Sequence, residues 1–128
     1  MAKLAIFDDA RERWVQFDED TEVLIAYLDM KALAKAEEKA DKKARLSKQN
    51  PKLVFNQKLG EVAVKGWRKI GEPGHPGIIV KGRPLEFSAE NRDMLMMRSV
   101  EFARFVNTSC VDSELFDVEE DTADGPNA

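Results

Sequence analysis

One cysteine, one histidine and one tyrosine are all that 128 residues contain of these types. A lone Cys110 excludes an intrachain disulfide framework. A lone His75, set between Gly74 and Pro76 with no cysteine nearby, does not supply a zinc set. As a general base it lacks any partner that the sequence identifies, and it reads as an exposed loop histidine. Long apolar runs are missing too. The longest near the start, Leu4 to Phe7, is shorter than the core of a secretory signal, about 7–15 residues. No run approaches the roughly 20 apolar residues of a membrane span. These absences lead us to expect a soluble chain of the cytoplasm that does not insert in a membrane. There is no excess of positive charge: the net charge is -4 and the isoelectric point about 5.1. An overall attraction to nucleic acid is therefore not expected. What the chain does have is 43% hydrophobic and 34% charged residues, enough apolar content for one domain's core.

Two β-prone runs lie near the start. Arg13-Trp14-Val15-Gln16-Phe17 and Glu22 to Leu28 flank the turn-forming Asp18-Glu19-Asp20, which predicts an antiparallel hairpin. Lys3 to Phe7 is either a further short strand or an arm. Val23, Ile25 and Tyr27 fall on one face of the second strand and Leu24, Ala26 and Leu28 on the other, so both faces want cover. Helices are expected over one of them. The alternate carboxylates Asp18, Asp20 and Glu22 suggest a calcium loop, but Val23 and Asp29 stand where glycine and glutamate are needed. A solvated turn is the reading. Residues 30–46 are rich in alanine, lysine and glutamate, which predicts a helix with little apolar stripe. From Lys31 to Lys58 nine basic residues face three acidic ones. No aromatic that could stack on a base occurs in residues 30–50.

Asn50-Pro51 starts a second predicted helix, with Phe55, Leu59 and Val62 at helical spacing and its end near Gly66 and Trp67. Gly60 inside it suggests close approach to another element. The connector over residues 68–87 is rich in glycine and proline, and Ile78-Ile79-Val80 is β-prone within it. Gly77 and Gly82 have phosphate-loop spacing, but Arg83-Pro84 follow in place of lysine and a hydroxyl residue, so that reading is rejected. Ser88 then caps a helix, with Glu90 in its first turn. Met94, Leu95, Met97, Phe102, Phe105 and Val106 give it one apolar face, and it is expected to run unbroken to Asn107 or Ser109. Cys110 reads as a buried or half-buried small residue. Residues 112–128 carry seven acidic side chains and no basic one, the composition of a disordered tail, though Leu115, Phe116 and Val118 could dock. The expected fold is α+β: an N-terminal antiparallel hairpin or small sheet on about three helices, one domain over residues 1–111 with an acidic tail over 112–128. No catalytic, cofactor or metal site is identified.

The order of features carries a resemblance. Trp14-Val15 opens a strand. Glu22-Val23-x-Ile25-x-Tyr27-Leu28 and a lysine-rich helix follow. Val64-Lys65-Gly66-Trp67 then leads through a glycine-containing connector to Pro84-Leu85-Glu86-Phe87-Ser88-x-Glu90-Asn91 and a helix ending Phe102-x-x-Phe105-Val106. This resembles the tail assembly chaperones of long-tailed double-stranded DNA phages and prophages, over most of residues 10–110. The connector is longer here than in that pattern. The resemblance implies a non-enzymatic protein of the host cytoplasm, absent from the mature virion, that binds the tape measure protein and tail tube subunits. It also implies that a frameshifted longer form can exist, with the acidic end as the junction. Self-association stays open. The residues expected to bind a partner are Trp14, Phe17, Ile25, Tyr27 and Trp67, with Lys35, Lys39 and Lys42 as a charged rim. The other reading is a nucleic-acid-associated adaptor using the basic segment 31–58.

Overall fold

The computed structural model describes residues 1–117. The predicted hairpin is present as β1 (Glu12–Gln16) and β2 (Thr21–Ala26), paired antiparallel with Val15 opposite Val23. Its turn closes because the Asp18 carboxylate accepts from the backbone N–H groups of Asp20 and Thr21, at 2.9 and 2.8 Å. Residues 1–10 form an arm rather than a strand.

α1 (Met30–Ser47) is capped by Asp29 and buries only Ala36, Ala40 and Ala44. These small side chains let it lie close along α2 (Pro51–Ala63), which Asn50 caps and Pro51 begins. α2 ends three residues before Gly66, and Trp67 does not close it. The chain passes with no loop into a third strand, β3 (Val64–Lys69), which pairs with β2 to give the order β1-β2-β3. A bulge at Lys65 puts Val64 and Trp67, three residues apart, on the same inner face.

The connector folds back on the sheet. His75 is half-buried rather than exposed: its Nδ1 accepts from the Gly77 N–H at 2.9 Å, and its carbonyl accepts from the Lys69 N–H. Thr21, 1% exposed, donates to the Gly77 carbonyl. Gly77 has φ of +81°, and a Cβ there would lie 2.9 Å from the Thr21 hydroxyl, so glycine is required. β4 (Ile79–Val80) and β5 (Arg83–Pro84) then make a small hairpin. Lys81 and Gly82, both at positive φ, form its two-residue turn.

The long helix expected from Ser88 is two helices, α3 (Ala89–Arg98) and α4 (Val100–Ser109). Ser88 caps the first as predicted. Ser99 leaves the helical region and caps the second, its hydroxyl accepting from the Phe102 N–H at 3.1 Å. A one-turn helix, α5 (Ser113–Phe116), follows. Phe116 is 1% exposed, and its carbonyl accepts from the Arg11 guanidinium at 2.8 Å. The packed unit therefore reaches past the expected boundary at residue 111, and residues 112–117 are not a free tail. The rest of the predicted tail lies outside the described residues.

The fold is α+β, with the sheet's inner face as its floor. Val23, Ile25, Leu59, Val64, Trp67, Phe102 and Val106 meet there, each at most 5% exposed. Gly60 does what its position suggested: a Cβ would sit 2.6 Å from Met96 Cγ, so its absence brings α2 against α3. Among the described residues no helix is long and apolar enough to cross a membrane.

Candidate functional site

The eight residues expected to bind a partner do not form one surface. Ile25 is 0% and Trp67 5% exposed, so both are core. Trp67 is fixed there: its indole N–H donates to the Leu85 carbonyl at 2.7 Å, and its ring meets Phe87 and Phe102 edge-on. Tyr27 is wedged between Phe7 and Phe116, both with ring centroids 5.2 Å away. Trp14 lies on the other side of the sheet, opposite Leu24, with the Arg68 guanidinium 3.8 Å from its ring centroid. Arg68 is held in turn by Glu22 at 2.6 Å. Lys35 and Lys39 border a separate small groove of about 210 Å³, with Lys58 and Val62 across it. Lys42 is exposed elsewhere on α1.

Phe17 is the exception. Its ring is half-buried against Phe102 and Phe105, and one side opens on a cleft of about 480 Å³. The cleft lies between the β4–β5 hairpin and the break from α3 to α4. Ile78, Val80, Met94, Leu95 and Phe102 make its apolar walls. Lys81, Arg98 and Glu101 stand at its mouth.

Local sequence chemistry builds each wall. The Lys81–Gly82 turn holds Val80 over the opening, because two positive-φ residues match the twist of the strands they join. The Ser99 cap ends α3 early. Arg98 and Glu101 then leave the apolar stripe, while Met94, Leu95 and Phe102 stay on it. An apolar trough with charges of both signs at its lip fits one face of an amphipathic helix or an extended apolar segment.

Two signals for this site stood in the sequence without being used. Ser99-x-Glu101 repeats the Ser88-x-Glu90 capping pattern eleven residues on. Lys81-Gly82 follows the β-prone run directly. Cys110, 0% exposed, has its thiol pushed up by burial to about 11, so it stays protonated at neutral pH. Among the described residues no group of three or more histidine, cysteine, aspartate or glutamate side chains could hold a metal ion. No protein-family model, no curated protein and no solved structure matches this chain.

Proposed function

We propose that this chain is a non-catalytic tail assembly chaperone of a long-tailed phage or prophage. It acts in the host cytoplasm, before the virion matures. It holds an apolar segment of the tape measure protein, and hands tail tube subunits to the growing assembly. The observation that carries the reading is the cleft between the β4–β5 hairpin and the α3–α4 break, together with the order of motifs that resembles that family. A long helical polypeptide exposes an apolar stripe until the tube closes round it. A trough of this chemistry covers such a stripe reversibly.

The test is co-expression of the full chain with fragments of the tape measure protein encoded beside it. Stoichiometric recovery of a fragment that is insoluble alone supports the reading. Fragments that stay insoluble, with nothing retained, defeat it. The nucleic-acid reading rests on the α1 and α2 lysines and makes a separate prediction, DNA affinity that falls steeply with salt.

A further inference from the structure

α1 carries a row of charge that no described residue answers. Lys31, Lys35, Lys39 and Lys43 follow one another at four-residue steps, so they stand in line along one side of the helix. Like charges at that spacing repel. Among the described residues none of the four makes an ion pair. Lys43 has a polar partner, the neutral Gln57 side chain at 2.9 Å.

Beside this row runs the groove of about 210 Å³ between α1 and α2. Leu28, Ala32, Ala36 and Val62 give it an apolar floor. Lys35, Lys39 and Lys58 stand over that floor, and Glu61 is paired with Lys58 at 3.5 Å. The surface therefore matches a segment that joins an apolar side chain to a surplus of negative charge.

The chain itself carries such a segment, tethered near the groove. Asp117, the last described residue, follows Phe116, whose ring packs on Tyr27 with centroids 5.2 Å apart. Tyr27 is followed by Leu28, which lines the groove and donates its N–H to the Cys110 carbonyl at 2.8 Å. The chain thus leaves the packed unit beside the Leu28 end of the groove. Beyond it stand Val118, Glu119, Glu120, Asp121 and Asp124, and no basic residue. From Val118 to Asp124 an extended chain spans roughly 23 Å. The row from Lys31 to Lys39 is only roughly 12 Å long.

We propose that residues 118–124 dock in the groove between α1 and α2 of the same copy, with Val118 on its apolar floor and the carboxylates along Lys35, Lys39 and Lys58. Each exposed pair contributes little alone. The tether makes the contact intramolecular, at an effective concentration of order millimolar, so several weak pairs suffice. The docked segment answers the unpaired lysines and screens α1 from other polyanions. This inference goes beyond the tape measure reading and uses none of the cleft residues.

Paramagnetic broadening on the full chain tests it. Ala123→Cys takes a nitroxide label, while Cys110, 0% exposed, stays unlabelled. The amide signals of Lys35, Ala36, Lys39 and Val62 are expected to lose intensity, and those of Lys81 and Arg98 at the cleft mouth to keep theirs. The lost intensity should return in about 1 M salt, where the Debye length is about 3 Å. It should also return in Lys35→Glu with Lys39→Glu, whose folding circular dichroism checks. If that variant fails to fold, Glu119→Lys with Glu120→Lys, outside the packed unit, takes its place. Groove signals that keep their intensity overturn the inference, as does loss centred on Lys81 and Arg98, or loss that survives charge reversal. Labelled chains without isotope, mixed with isotope-enriched chains without label, separate the two copies. Equal loss in that mixture places the segment in another copy's groove and also overturns the inference.

Discussion

At the scale of single residues, contact distances decide the outcome of substitution. Replacing Gly60 with alanine gains about 1 kcal/mol of helix propensity. It also drives a methyl into Met96 Cγ, 2.6 Å away on a side chain that is 1% exposed. Overpacking of that kind costs about 1–3 kcal/mol, so Gly60→Ala should lower stability on balance. Adding Met96→Ala should recover part of that loss in a denaturant double-mutant cycle. Cys110 makes a pH prediction. Its folded pKa, about 11, stands above the ordinary 9.0. The stability it contributes is fully present below pH 9.0 and is lost as pH rises toward 11. Urea midpoints should fall across that window, by no more than about 1.4 kcal/mol per pH unit from this group. Cys110→Ala should flatten that part of the profile.

Elements show where the chain was legible in advance and where it was not. The hairpin, both lysine- and proline-marked helix starts and the Ser88 cap are local chemistry, and the structure has them where the sequence implies them. The third strand was hidden by its bulge. Skipping Lys65 makes Val64 and Trp67 point inward three residues apart, which imitates the spacing of a helix. The break at Ser99 was hidden by the opposite effect: Leu95, Phe102 and Val106 stay on one apolar side across it, so periodicity runs straight through. The cleft depends on both features and on tertiary placement of the hairpin. Of the eight residues expected to bind a partner only Phe17 lines it, because Ile25, Tyr27 and Trp67 are used in packing the sheet's inner face and Trp14 stands on its outer face. Ser99→Ala should cost about 1 kcal/mol in thermal or urea unfolding, the usual worth of an N-cap. Phe102→Ala, at 2% exposure between Phe17 and Trp67, should cost about 3–5 kcal/mol.

At the scale of the whole molecule, the basic segment and the cleft occupy different parts of the fold. Basic side chains follow α1 and α2, while the cleft opens on the other helical layer with apolar walls and a mixed lip. That separation gives the two readings of function different addresses on one fold. The direct measurement is the amount of tape measure fragment retained by three versions of the chain: wild type, Val80→Glu and Lys39→Glu. Val80 is half-buried on a two-residue strand, so glutamate there places a charge in the cleft with little demand on the core. The account predicts at least about tenfold less fragment on Val80→Glu, the cost of setting a charge against apolar contact, and no loss on Lys39→Glu. Equal recovery on Val80→Glu, or loss on Lys39→Glu alone, would contradict it and move the binding surface from the cleft to the basic helices.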